Sequence, residues 1–478
     1  MKKPGLLASL LPLLLLISLL VTGSMMFGDN MTGGPAQFSL LTAAMLTCFL
    51  GIYIFKVPWS KFEKEICTGL SDMGMALIIV LLIGAVNSAW MLSGVVPTII
   101  CYGLKIISPK LFLAASFLLC GVVGFMLGSS WTTVGTIGLA MLGAGRIIGL
   151  PDGWLAGAIL SGAYLGDKLS PLSDTTIMAS SVAGVDLYKH IKYMLITTVP
   201  AIVITLAVFL FVGFTFNVSD SVSVAAQSDA IKSIFVISPW LLLVPVLTIV
   251  LLVRKVNVLL TLFVSALCGA ILAIFFQPSV MAQVSNTSAR IPFLYDLISI
   301  ITQPHKLVTG SDMVDTLAST GGMQKMLNTV WLLICVSSFG GIMRASGMLG
   351  TITTYLLKVT KTTFSLVTAT ICTCFCCEFV MADQYTSILI PGKMFKEAYD
   401  RKGLQPELLS RSLEDCGTVC SVLCPWNTCG VMQASVLGIA TLTYAPFCIF
   451  NIVSPIMGIV IAALGYKIDK PKPTVENE

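Results

Sequence analysis

Gly162-Ala163-Tyr164-Leu165-Gly166-Asp167-Lys168-Leu169-Ser170-Pro171-Leu172-Ser173-Asp174-Thr175-Thr176 sets two carboxylates, a lysine, a proline and a run of hydroxyls inside an otherwise apolar chain. A second such stretch, Arg411-Ser412-Leu413-Glu414-Asp415-Cys416-Gly417, runs on to Pro425-Trp426-Asn427-Thr428-Cys429-Gly430. Charge at bilayer depth costs about 3 kcal/mol or more per residue, so it persists where it handles an ion, a proton or a substrate. Gly and Pro beside those charges predict broken helices, whose freed carbonyls are the usual coordinating surface of secondary transporters.

The rest of the chain has membrane composition. Of 478 residues, 56% are hydrophobic and 11% charged, with a mean hydropathy of +0.94; a soluble domain carries about 25% charged residues. Apolar runs near the length of a bilayer span occupy 6–26, 38–55, 70–90, 112–127, 134–150, 194–216, 234–253, 258–276, 326–342, 363–377 and 443–466. The expected fold class is therefore an all-α polytopic membrane protein, an inverted-repeat secondary transporter with broken transmembrane helices. The leucine run behind Met1-Lys2-Lys3 exceeds the core of a secretory signal and reads as the first span. The fifteen cysteines lie mostly in apolar runs. Cys416, Cys420 and Cys424 fall on one helix face, as packing residues at a helix contact or, alternatively, as a metal or redox site.

Lys and Arg gather at 56–64, 189–192, 254–255, 358–361 and 393–402 and in the tail, while 28–37 and 219–230 carry none. The positive-inside rule then places both termini in the cytoplasm. Sliding the chain by 254 positions brings Pro171 onto Pro425, Thr132 onto Thr386, Gly149 onto Gly403 and Gly184 onto Gly438. The basic 393–402 segment meets a nearly uncharged partner, so the halves are expected to run in opposite directions. The expected organisation is 1–65 as N-terminal spans, 66–217 as the first half, 218–325 as connecting spans and an external loop, 326–468 as the second half, and 469–478 as a cytoplasmic tail.

Candidate ligands follow from the interruptions. Asp167, Asp174, Ser173 and Thr175 with an unwound backbone near Gly166 form a hard-oxygen environment suited to Na⁺. Lys168 is expected to pair with Asp167 and neutralise it when no ion is bound; equally, that pair is a loop salt bridge and Asp174 a helix cap. In the second half the candidates are Asp383, Glu414, Asp415, Asn427 and Thr428, with Arg411 as a charge partner. Asp383 also fits a cap, and Glu414 a surface contact with Arg411. The polar segment Ser129–Thr133 aligns with 383–387. No transition-metal site is expected. The chain shows no H-E-x-x-H, phosphate-binding loop or nucleophile elbow, so it is not read as an enzyme.

Gly166–Thr176 with Ala183-Gly184-Val185-Asp186 and His190-Ile191 resembles the signature of the NhaC family of Na⁺/H⁺ antiporters. The second half resembles it through Asp383-Gln384-Tyr385, Pro391-Gly392-Lys393-Met394-Phe395, Leu413-Glu414-Asp415 and Pro425-Trp426-Asn427-Thr428-Cys429. One departure stands at Met381-Ala382, near which the family pattern carries Gly. The resemblance implies a bacterial inner-membrane protein exchanging internal Na⁺ for external H⁺ by carboxylate-centred alternating access. The alternative within the family is a Na⁺/H⁺-coupled exchanger of organic anions (malate and lactate) or amino acids, in which Arg411 and Lys168 would clamp a carboxylate. Expected partners are the bilayer, Na⁺ and H⁺, with a homodimer as candidate assembly, no cofactor and no nucleic acid. Competition between Na⁺ and H⁺ requires a carboxylate whose proton affinity is raised towards neutral pH by partial desolvation.

Overall fold

A computed structural model describes residues 4–27, 33–106, 108–216, 229–285, 290–308, 315, 318–357 and 362–466. The 469–478 tail, the amino-terminal lysines and most of the lysine-poor 219–230 segment lie outside them. All long elements among the described residues are helices; nine are long and apolar enough to cross a membrane, or ten if one pair bent by 88° counts as a span. The protein is a multi-pass membrane protein.

Several spans differ from their sequence outlines. The expected span 70–90 lies within a 34-residue helix, Trp59–Leu92. The apolar run 443–466 is two pieces, Thr441–Phe447 and Ile449–Leu464, separated at Cys448, whose ψ of 67° is not helical. The bent pair joins Thr428–Leu437 to Thr441–Phe447 across Gly438.

The 254-residue register reappears in the helix ends. Ser130 and Gln384 open corresponding helices, as do Asp152 and Pro406, and Asp174 and Thr428. The Asp174–Ala183 and Thr428–Leu437 helices match at both ends. Left-handed backbone recurs at Gly149 and Gly403, and at Gly184 and Gly438. It recurs also at Gly128 (φ 64°) and Ala382 (φ 54°). Ala382 has a Cβ that crowds the following carbonyl in this conformation, a strain of about 1–2 kcal/mol that glycine avoids. Ser129 and Asp383, one residue later, cap their helices by accepting from the Thr132 and Thr386 amides.

Close backbone packing fixes the first interruption in space. The Asp152–Leu169 helix lies against Phe112–Leu127, and a methyl group on Gly162 or Gly166 would collide with the Phe117 or Gly121 carbonyl. Small residues let membrane helices approach in this way. Gly166 therefore serves contact, and the expected unwinding near it does not occur: the helix continues through Asp167 and Lys168 and ends at Leu169. The break is Ser170–Ser173, around Pro171.

Candidate functional site

The second half breaks more gradually. The Pro406–Leu413 helix widens into a π-turn over Glu414–Thr418, tightens to a 3₁₀ turn at Ser421–Leu423 and stops before Pro425. Single-turn π insertions recur at functional sites because they re-aim side chains. Here the wide turn carries Glu414 and Asp415, both fully buried.

Glu414 meets the first half. Thr175 Oγ1 donates to Glu414 Oε1 at 3.4 Å, and the Ser173 and Thr175 hydroxyls are bonded at 2.9 Å. Asp167 lies within electrostatic reach of Glu414 and is 6% exposed. Its Oδ2 accepts from the Ser130 amide at 3.0 Å, at the start of the Ser130–Ile148 span. Glu414 Oε2, the Ser130 hydroxyl and the Thr418 hydroxyl have no hydrogen-bond partner among the described residues. Two carboxylates, one from each half, thus share a buried space with four hydroxyls.

Lys168 does not pair with Asp167, contrary to expectation. Its Nζ donates to Asp415 Oδ1 at 2.5 Å and to Ser454 Oγ at 2.9 Å. A helix points successive side chains about 100° apart, so Asp167 and Lys168 face different neighbours. Thr197 Oγ1 also donates to Asp415 Oδ1, at 2.8 Å. Asp415, proposed from sequence as an ion ligand, has Oδ1 engaged by a lysine and by the Thr197 and Ser454 hydroxyls, while its Oδ2 has no hydrogen-bond partner among the described residues. Arg411 likewise faces Asp415 rather than Glu414, with Nε 3.8 Å from Oδ2. That is too long for a hydrogen bond, and none of the three guanidinium nitrogens has a partner among the described residues. The guanidinium lies over the Tyr193 ring, 5.0 Å from its centroid. Lys168, Arg411, Glu414 and Asp415 are all wholly buried.

The Leu187–Thr215 helix supplies a polar stripe that sequence reading missed. His190 Nδ1 bonds Ser410 Oγ at 2.8 Å, Tyr193 stacks on Arg411 and Thr197 reaches Asp415. Positions 190, 193 and 197 lie on one helical face. The signal available beforehand was this i, i+3, i+7 spacing of polar residues within an apolar span.

Four other candidates stand apart. Asp174 is exposed in the first turn of its helix, and the N-cap position belongs to Ser173. Asp383 is half-buried and caps its helix through the Thr386 amide, at 2.9 Å; Tyr385 lies within the field of Asp167, Asp174 and Asp383 together. Asn427, read as an oxygen ligand, has its amide committed on both sides: Oδ1 accepts from the Cys429 amide at 3.0 Å, and Nδ2 donates to Glu378 Oε2. Thr428 is buried beside it, its amide donating to the Ala382 carbonyl at 2.8 Å. A helix cap is a common use of Asn at such a start, and it occupies the oxygen.

The chain is similar to known proteins over nearly its whole length. A family model described as the Na⁺/H⁺ antiporter family matches residues 6–193 and 162–466. The Na⁺/H⁺ antiporter NhaC of Alkalihalophilus pseudofirmus is 36% identical over 431 residues, 90% of each chain. A malate-2H⁺/Na⁺-lactate antiporter of Bacillus subtilis is 34% identical over 433 residues, again 90% of each. The arginine/ornithine antiporter ArcD of Halobacterium salinarum is 32% identical over 477 residues, 99% of this chain and 94% of that one. With buried acids from both halves meeting at helix breaks and these matches along its length, the chain is a secondary transporter and belongs to the Na⁺/H⁺ antiporter family.

Proposed function

We propose that the protein exchanges cytoplasmic Na⁺ for external H⁺ at a pocket formed by Asp167 and Glu414 with Ser130, Ser173, Thr175 and Thr418. The observation that carries this reading is the charge balance of the buried centre. Among the described residues, the buried acids Asp167, Glu414 and Asp415 have two buried cations beside them, Lys168 and Arg411. An unbalanced charge in low dielectric is costly, so the centre takes up one further positive charge. A Na⁺ ion on hard oxygens or a proton on either carboxylate satisfies it, and the two exclude each other.

Alternating access is supported by a difference between two equivalent helix contacts. Val182 packs on Gly392, and Lys396 Nζ donates to the Val182 carbonyl at 3.4 Å. The positions 254 residues away are Val436, Gly138 and Leu142; Leu142 and Val436 line an open cleft of about 660 Å³, with Arg146, Asp152 and Lys325 at its mouth. The Val182–Lys396 end of the first contact is closed, whereas at the equivalent Leu142–Val436 end a cleft opens, although the Thr428–Leu437 helix still touches the Ser130–Ile148 span. We infer that the halves 66–217 and 326–468 rock about the central pocket and exchange these states, the usual behaviour of inverted repeats. On the positive-inside rule we take Lys396 to be at the cytoplasmic end and the cleft to face outside.

A second reading is favoured by Arg411. Its buried guanidinium, without a hydrogen bond on any nitrogen, offers the planar fork that matches a carboxylate. Exchange of a small organic anion or an amino acid would use it, without the lysine expected from sequence to share the task. Purified protein in liposomes, with lumen pH read while Na⁺, Li⁺, K⁺, lactate, malate and arginine are added in turn, separates the readings. Na⁺-dependent proton movement without any carboxylate supports the first; a strict requirement for an organic solute supports the second. Asp167→Asn is expected to lower Na⁺-driven proton flux at least tenfold, and full flux in that variant refutes the pocket.

A further inference from the structure

The second helix break holds a buried acid that the central pocket does not use. Glu378, near the end of the Thr363–Val380 helix, is wholly buried. Its Oε2 accepts from Asn427 Nδ2, which also bonds the Glu378 carbonyl at 3.2 Å. Its Oε1 has no hydrogen-bond partner, and no salt bridge among the described residues reaches it.

The groups around Glu378 are neutral or acidic. Cys374 and Cys377 share its helix; Cys416, Cys420, Cys424 and Cys429 approach from the second-half break. Asp383 and Ser387 face it from the start of the next span. None is a cation. An isolated carboxylate is far more cheaply buried as the acid than as the anion. The neighbours also argue against a metal cation: Asn427 turns a donor towards Glu378, and thiols are poor partners for hard ions.

Asn427 joins this acid to the moving part. Its Nδ2 holds Glu378 while its Oδ1 caps the Thr428–Leu437 helix, whose far end lines the open cleft at Val436. Loss of the proton strands a charge beside the start of that helix, and its return restores a neutral contact that can be buried again.

We propose that Glu378 is a second proton site, separate from the Asp167–Glu414 pocket, which takes a proton on Oε1 from one side of the membrane and releases it on the other once per cycle. The proposal rests on the Na⁺/H⁺ exchange reading above.

The test is the coupling ratio. Full-length protein and Glu378→Gln are reconstituted with the membrane potential clamped, and opposing Na⁺ and pH gradients are adjusted until net Na⁺ movement stops. The glutamine keeps an acceptor for Asn427 but cannot carry a proton. The expected result is continued exchange with one proton fewer per Na⁺. An unchanged ratio overturns the proposal, as does complete loss of exchange in a folded variant, because the central pocket alone should still turn over. If Glu378→Gln fails to fold, Glu378→Asp is measured instead. It should keep the wild-type ratio with a displaced pH–rate profile, and an undisplaced profile overturns the proposal. Absence of Na⁺/H⁺ exchange in the wild type is a separate outcome, and it refutes the proposed function itself.

Discussion

Asp415→Asn should be among the most damaging single changes to the folded protein. Asp415 lies 2.5 Å from Lys168 Nζ and 3.8 Å from Arg411 Nε, with all three side chains fully buried. The amide keeps the shape and can still accept from Thr197, so the perturbation is almost purely one of charge. Two buried cations then lose their nearest anion. Stranding one partner of a buried pair costs about 3–5 kcal/mol, roughly a hundredfold or more in the folded-to-unfolded ratio. Lys168→Met should cost less, because Arg411 remains beside Asp415 and needs to move only about 1 Å to bond it. The double variant Lys168→Met/Asp415→Leu should recover part of the loss, since apolar pairs often replace buried ion pairs at little cost. Recovery is incomplete because Arg411 stays unpaired. Thermal unfolding in detergent reads all three variants, and with Asp415→Leu measured alone the Lys168→Met/Asp415→Leu cycle gives the coupling energy. If Asp415→Asn melts with the wild type, these charges are hydrated, and the charge balance argued for the pocket fails.

Two further outcomes test the repeat and the strain. Ala382→Gly should raise thermal stability by up to about 1 kcal/mol by relieving its left-handed backbone, the gain being limited by glycine's greater unfolded-state freedom; a lower melting temperature contradicts the strain. In a background freed of the native cysteines, Leu142→Cys/Val436→Cys should cross-link faster when Na⁺ and pH gradients drive turnover than at rest. Val182→Cys/Lys396→Cys should show the opposite, and identical behaviour of the two pairs refutes rocking between equivalent contacts.

The breaks were readable because Pro171 and Pro425 cannot donate to a helix, and their common register was readable from 254-residue spacing. The family was readable from the motifs beside them. Partner choice was not. Asp167 and Lys168 are neighbours in sequence, yet one meets the Ser130 amide and the other Asp415, 247 positions away. Glu378 was not legible, since nothing local distinguishes a buried acid from a helix-end one. Gly166 looked like a point of unwinding, because sequence cannot show that a neighbouring backbone occupies the space of its missing side chain.

The chain alone determined a bundle of membrane helices in two matching halves, each interrupted by proline and polar residues. Hydrophobic length and the loss of backbone donors are local properties, written residue by residue. Only the tertiary structure decided which acids share the central pocket, which cation neutralises Asp415 and which amide holds Glu378. Those pairings depend on the rotation and close approach of helices hundreds of residues apart, and in a medium without water each buried charge must take whatever partner that packing presents.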